Sequence, residues 1–282
     1  MSDAVTGNLT ILVDNIVPGK SETLAEHGFS VYLETSKGNF LFDTGRGKAI
    51  IHNAVECKKD LKRLKKVILS HGHADHTGGL PEVLRFHDQI DVLGHPDIFI
   101  SRFRMDGSGN RKYSGIPYAK GYLEKKGARF VFNTGSVEIE NGIYLTGEVP
   151  RTTKFEAADM KNRFAERMGE IVPEVISDDQ AMVIKTKEGI LIILGCAHSG
   201  VINTINHAVK ITNVDTIFGI VGGTHLGFSK EAQLKETIEV LKTYQIQNLI
   251  PAHCTGLSAS IRLREHFENI FQFSHVGKIF HF

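Results

Sequence analysis

The sequence is poor in cysteine and has no excess of charge of either sign. Three cysteines, Cys57, Cys196 and Cys254, stand far apart among 282 residues, and an odd, scattered set argues against a disulfide framework. Lysine and arginine number 33 while aspartate and glutamate number 32, so no global field gathers nucleic acid or an anionic membrane surface. We therefore expect reduced thiols, and neither nucleic acid nor membrane as a partner.

Long apolar runs and the serine nucleophile motif are also missing. No apolar stretch reaches the length of a bilayer span, and the start of the chain lacks the basic and apolar regions of a signal peptide. These two absences predict a cytoplasmic protein. The Gly-x-Ser-x-Gly pattern does not occur, which leaves a Ser-His-Asp mechanism without its sequence signature.

The most informative segment is His71-Gly72-His73-Ala74-Asp75-His76, where three imidazoles and a carboxylate crowd together. A β-branched and apolar run at residues 66–70 precedes it and predicts a buried strand that delivers the cluster at its C-terminal end. Neutral imidazole suits zinc-like ions, and the carboxylate suits a second or a harder ion. The spacing predicts two divalent metal ions, zinc first, with iron or manganese as alternatives. A polar loop merely rich in histidine is the other interpretation.

Strands followed by helices recur in both halves of the chain. This order predicts two sheets packed face to face with helices outside, in one domain spanning residues 1–282. Two charged segments with weak periodicity, near residues 100–128 and 151–177, are predicted to be cap insertions. The second is predicted to contain a helix near residues 157–168.

The metal motif has companions elsewhere in the chain. Phe40-Leu41-Phe42-Asp43-Thr44-Gly45 precedes it, and His198 and Pro251-Ala252-His253 follow it. In this order and over nearly the whole chain, these motifs resemble the metallo-β-lactamase superfamily of dinuclear metal hydrolases. The resemblance implies an α/β (α+β) fold: an αββα sandwich of two mixed β-sheets with helices on the outer faces and the metal site at one rim.

Further strings, including Thr146-Gly147-Glu148 and Gly195-Cys196-Ala197-His198-Ser199-Gly200, resemble a subgroup described as metal-dependent hydrolases of β-lactamase superfamily II. That subgroup includes proteins labelled as synthases of a dihydropterin ribofuranosylaminobenzene phosphate.

The resemblance also implies ligands. His71 and His73 would hold one ion, Asp75 and His76 the other, and His253 would complete the second site. The chain departs from the family where a bridging aspartate usually follows a glycine, because Cys196 follows Gly195 here. We predict His198 as a ligand, with Cys196 as its rival. For the missing carboxylate ligand, the candidates are Glu148 and Asp178 or Asp179. His225 is a candidate ligand or substrate contact, and it could instead be an ordinary loop histidine. Asp43 is expected to brace the ligands without binding metal.

The predicted function is a dinuclear metal-dependent hydrolase that attacks a small molecule with a metal-activated hydroxide. Asp75 is the predicted catalytic residue, because it can bind metal and also orient the nucleophile through a hydrogen bond. The first alternative is a metal-dependent transferase resembling the dihydropterin synthases. A di-iron redox protein is a second, and a nuclease is disfavoured by the balanced charge.

Basic residues in the two insertions point to an anionic or phosphorylated small-molecule substrate. They are Arg102, Arg104, Arg111, Lys112, Arg151 and Lys154. Such side chains clamp phosphate well, although a solvated basic surface would have the same composition. The sequence leaves open whether the chain forms a homo-oligomer.

Overall fold

The structure, a computed structural model, describes residues 4–156 and 162–282. Its strands form three sheets. The first sheet has seven strands, in the spatial order β17 (Ile279–His281), β1 (Gly7–Val13), β2 (Ser30–Thr35), β3 (Gly38–Phe42), β4 (Leu64–Ile68), β5 (Ile90–Gly94) and β8 (Ala128–Phe132). The second has six: β16 (Leu249–Ala252), β15 (Ile217–Gly223), β14 (Gly189–Leu194), β13 (Met182–Thr186), β10 (Ile143–Leu145) and β9 (Val137–Glu140).

The third sheet has four strands and is called the cap sheet below. Its strands are, in spatial order, β12 (Glu170–Pro173), β11 (Arg163–Arg167), β6 (Arg102–Met105) and β7 (Arg111–Tyr113). The α-helices are α1 (Ile50–Glu56), α2 (Ala74–Thr77), α3 (Leu80–Leu84), α4 (Lys120–Lys125), α5 (Val201–Thr212), α6 (Glu231–Leu241) and α7 (Gly256–Phe267). Short 3₁₀ helices lie at Leu61–Arg63, Pro96–Phe99, Leu226–Phe228 and His253–Thr255.

Apolar side chains of the two large sheets alternate between two cores, because successive residues of a strand point to opposite faces. In β14, Leu191 and Ile193 enter the core between the sheets. Ile190 and Ile192 face the helices α5, α6 and α7 instead. A third core lies between the first sheet and helices α1, α3 and α4. Helix, sheet, sheet, helix is therefore the layer order, which confirms the predicted αββα sandwich.

Both large sheets are mixed, as predicted. In the first, β1, β2 and β3 pair antiparallel, whereas β3, β4, β5 and β8 run parallel. In the second, β14, β15 and β16 run parallel and the remaining pairs are antiparallel. The parallel strands of one sheet end at a common edge, so residues that follow them in the chain gather there.

The cap sheet joins strands from both charged insertions, since β6 of the first pairs with β11 of the second. The helix predicted near residues 157–168 is wrong where the structure can be compared with it: Arg163–Arg167 is a strand, and residues 157–161 lie outside the described part of the chain. Strand pairing overrides helix propensity here, and the Phe164 ring stacks on Phe103 of the neighbouring strand at 6.1 Å.

Among the described residues, no helix is both long enough and apolar enough to cross a bilayer.

Candidate metal centre

At one rim of the sandwich, side chains that can bind metal follow the ends of two adjacent strands of the first sheet and three adjacent strands of the second. Asp43 follows β3, and the histidine cluster follows β4. Across the rim, the loops after β14, β15 and β16 carry Cys196 and His198, His225, and His253. Gly195 allows the loop after β14 to pack closely against the loop after β4, because a Cβ at this position would collide with Ser70.

His71, His73 and His198 form the first group of donor atoms. Their ligand atoms lie within 4.8 Å of one another, with 2.9 Å between His71 Nε2 and His73 Nδ1. His198 Nε2 is buried and has no hydrogen-bond partner among the described residues. A buried polar atom without a partner has lost its hydrogen bonds to water and gained none in exchange, which costs free energy of folding. Three converging imidazoles, one of them orphaned, are therefore well suited to a metal ion.

A second group adjoins the first and is richer in sulfur. Cys196 Sγ lies 3.1 Å from His76 Nε2, and Asp75 Oδ2 lies 3.4 Å from His253 Nε2. Cys254 Sγ falls within 4.8 Å of the donor atoms of Cys196 and His253. Imidazole, thiolate and carboxylate are the ligands that zinc accepts in proteins. This donor set therefore also fits a divalent metal.

Most of the imidazoles in the site are electrically neutral at physiological pH. Burial, then the neighbouring imidazoles His76 and His73, hold the pKa of His71 well below its usual range. Burial likewise lowers the pKa of His253 to about 4 and that of His225 to about 3. A neutral imidazole presents a lone pair to a metal ion, so these residues need no deprotonation to act as donors.

Two groups of the site carry opposite charges. Burial alone would lower the pKa of His76, but the Asp43 carboxylate raises it to about 9. Burial would raise the pKa of Asp75, yet hydrogen bonds from His253 and His27 hold it well below its usual range. Asp75 is therefore an ionised carboxylate beside the donor atoms.

Asp43 is completely buried and holds two elements of the site in place. Its Oδ1 accepts a hydrogen bond from the Ser70 backbone N–H at 2.7 Å. Its Oδ2 lies 2.6 Å from Ser70 Oγ and 2.7 Å from His76 Nδ1. A carboxylate at Nδ1 fixes the ring and leaves Nε2 facing the second donor group.

We expect Asp43→Asn to weaken zinc binding by about 10- to 100-fold, because the amide cannot supply the negative charge that fixes and polarises the His76 ring. Competition with a chromophoric chelator would measure the affinity. Asp88→Asn is the control, since Asp88 is exposed. Equal zinc affinity in Asp43→Asn and the parent protein would contradict the bracing role.

The predicted carboxylate ligands lie outside both donor groups. Glu148 is exposed and contacts His95, with 3.0 Å between Oε1 and Nε2. Asp179 accepts a hydrogen bond from the Ser199 backbone N–H at 2.7 Å, and Asp178 accepts one from Gly72 N–H at 2.7 Å. Asp178 and Asp179 therefore hold the two loops that carry the histidines.

A cavity of about 320 Å³ opens above the donor groups. His225 lines it, with its ring centroid 4.4 Å from that of His198. Several lining residues were not singled out from the sequence: His27, Arg46, Arg163, Cys254 and Phe228. Cys254 could have been found from its place directly after His253. Arg163 reaches the cavity only through strand pairing in the cap sheet, which leaves no local signature.

Comparison with known proteins agrees with this architecture. The family profile described as "Metallo-beta-lactamase superfamily" matches residues 24–155. A 7,8-dihydropterin-6-methyl-4-(beta-D-ribofuranosyl)-aminobenzene-5'-phosphate synthase of Methanocaldococcus jannaschii is 29% identical over 266 residues, which are 92% of this chain and 90% of that protein. The uncharacterized protein MJ0448 of the same organism is 32% identical over 274 residues, covering 96% of this chain and 98% of its own length.

A solved structure is also similar over the full length. Tm1679, described as a metal-dependent hydrolase of the beta-lactamase superfamily, aligns with a TM-score of 0.82 and 26% identity over 97% of this chain and 98% of its own. Fold and rim together define the class as an αββα metalloenzyme. The chain belongs to the metallo-β-lactamase superfamily. This confirms the resemblance seen in the sequence, and the fold implies divalent metal ions.

Proposed function

We propose that the chain is a dinuclear metal-dependent hydrolase for a small anionic substrate. One observation carries the proposal: two adjoining groups of buried donor atoms lie at the floor of one cavity. His71, His73 and His198 would hold one ion. The other would be held by Asp75, His76, Cys196 and His253. Zinc is favoured over manganese, because imidazole and thiolate donors outnumber oxygen donors.

Divalent ions, when bound, acidify a coordinated water and polarise an electrophile's oxygen. The chain's own residues supply orientation and proton handling. Asp75, held ionised by His253 and His27, can accept a hydrogen bond from the attacking nucleophile. The His27 side chain is 57% exposed, and its Nε2 lies 3.2 Å from Asp75 Oδ2. His27 could therefore pass a proton taken up by Asp75 to solvent. His225, neutral and beside His198, can donate a hydrogen bond to substrate.

The cap sheet gives the cavity its positive wall. Arg163 of β11 stands opposite Arg104 of β6, and Arg104 stands opposite Lys112 of β7. All three line the cavity. An anionic group bound in the cavity would lie beside these positive charges. Arg46 adds a fourth cation to the cavity.

Three other basic residues singled out from the sequence have different roles, and Lys154 is exposed and does not line the cavity. Arg102 is buried in ion pairs, and the Arg111 guanidinium lies 4.8 Å from the Phe103 ring centroid. Arg151 donates a hydrogen bond to the His198 carbonyl oxygen at 2.7 Å. Because both insertions contribute strands to the cap sheet, we propose that the cap is part of a single domain and carries the substrate contacts.

Arg104→Gln is expected to lower kcat/KM about 10- to 100-fold for a phosphorylated compound and far less for its unphosphorylated counterpart, because a charge-assisted hydrogen bond is lost. Steady-state kinetics on matched pairs of esters would measure both. Arg111→Gln on the neighbouring strand is the matched control, since its guanidinium faces Phe103. Equal parent rates for the two compounds of each pair would remove the anionic-substrate proposal.

The identity of the reaction is best found with a panel of esters, thioesters, lactones and phosphodiesters. A transferase is the second candidate function, favoured by the similarity to the dihydropterin synthase over 92% of this chain. Product that forms only when a second organic substrate is present would establish the transferase. Turnover with water as the sole co-substrate would establish the hydrolase.

A further inference from the structure

Glu174 lies directly after β12, in the second insertion, and reaches the back of the metal centre. Its side chain is only 1% exposed, and its Oε1 lies 3.7 Å from His73 Nε2. His73 Nε2 is buried without a hydrogen-bond partner among the described residues. The opposite ring nitrogen, Nδ1, belongs to the first donor group, 2.9 Å from His71 Nε2. The His73 ring therefore stands between the donor group and the cap carboxylate.

We propose that Glu174 is a positioning residue that orients His73 when a metal ion binds at Nδ1, and so couples the cap to the metal centre. Ligation through Nδ1 would leave the proton of a neutral His73 on Nε2, the nitrogen that faces Glu174. A carboxylate behind a ligand histidine holds the ring in place and makes it a stronger donor. This inference rests on the proposed function, because the bound ion is what takes up the Nδ1 lone pair.

A buried ion cluster keeps Glu174 in its place. Arg102 of β6 is 1% exposed, and its Nε lies 2.8 Å from Glu174 Oε1. Its Nη2 lies 2.5 Å from Asp178 Oδ1. The cluster contains two carboxylates and one guanidinium. Both carboxylates contact the same guanidinium, and His73 Nε2 is a further polar atom near Glu174 Oε1.

The same cluster grips the loop that carries the histidines. Asp178 Oδ2 accepts the Gly72 N–H hydrogen bond at 2.7 Å. A Cβ at Gly72 would lie 2.5 Å from Arg102 Nη1, so only glycine lets the loop pack on the guanidinium. Arg102 comes from the first insertion and Glu174 from the second. Both insertions therefore meet at His73, and coupling of this kind is reciprocal: zinc binding should also stabilise the cap.

Zinc affinity and the Nε2 proton of His73 are compared in the parent protein and in Glu174→Gln. We expect zinc affinity, measured by chelator competition, to fall about 10- to 100-fold. Long-range ¹⁵N–¹H correlation spectra of the zinc-loaded proteins should show the Nε2 proton of His73 in both, further downfield and exchanging more slowly with water in the parent. Glu170→Gln is the matched control, because Glu170 is exposed on β12, the strand that precedes Glu174.

Glu174→Asp provides a second variant if the glutamine protein does not fold. It keeps a negative charge in the ion cluster but withdraws the carboxylate from His73, and we expect weaker zinc binding. Unchanged zinc affinity and an unchanged Nε2 proton resonance in either folded variant would overturn the proposal. Failure of the parent protein to bind zinc would remove the proposed hydrolase and this role of Glu174 together, whereas a parent that binds zinc no more tightly than its variants would remove only the role of Glu174.

Discussion

Replacing Arg102 by methionine is expected to lower the free energy of unfolding by about 3–5 kcal/mol, because it leaves two buried carboxylates without their cation. Glu174 and Asp178 are 1% and 0% exposed at their side chains, so water cannot solvate the charges that remain. Urea denaturation of the metal-free protein would measure the loss. The metal must be absent, since its binding adds stability of its own.

Two comparisons identify the cause of this loss. Arg111→Met, on the neighbouring strand, should change stability by no more than about 0.5 kcal/mol, because Arg111 is exposed. Adding Glu174→Gln to Arg102→Met should cost less than the sum of the two single changes, since one orphaned charge is removed. An Arg102→Met loss below about 1 kcal/mol would contradict the buried ion cluster as an organising element of the cap.

His198→Ala is expected to remove one metal ion per chain and to lower kcat/KM by more than about 100-fold, which exceeds the usual effect of residues that only brace a ligand. The physical reason is the orphaned Nε2 of His198, which faces His71 and His73. Elemental analysis and steady-state kinetics on the same sample would measure both quantities.

His52→Ala serves as the control for this substitution. His52 lies on α1, where its Nε2 contacts the Glu22 carbonyl oxygen at 2.6 Å, and it does not line the cavity. Its metal content and activity should match those of the parent protein. Unchanged metal content in His198→Ala would mean that the first donor group has been assigned wrongly.

The sequence predicted the sandwich and much of the rim because the relevant signals are local. Apolar runs end in histidines and aspartate, and parallel strands bring their C-terminal ends to one edge. Glu148 follows a strand in the same way, but β13 lies between its strand and β14. It therefore meets His95 and not the donor groups, and only the strand order reveals this.

The cap could not be predicted at the same level. Arg102 and Asp178 are 76 positions apart in the chain, and Arg163 faces Arg104 only because β11 pairs with β6 in one register. A shift of that register by one residue would turn the side chains of β11 to the other face of the sheet. Composition identified the insertions as basic, whereas pairing decides which of those cations is buried, stacked or lining the cavity.

Hydrolysis by this chain should depend on two divalent ions held by loops at one rim. Elemental analysis of the untagged protein would be combined with a hydrolysis panel run before chelation, after chelation and after zinc is returned. We expect two ions per chain, activity that chelation removes and activity that zinc restores. A protein that carries no transition metal and stays inactive when zinc, iron or manganese is supplied would contradict it.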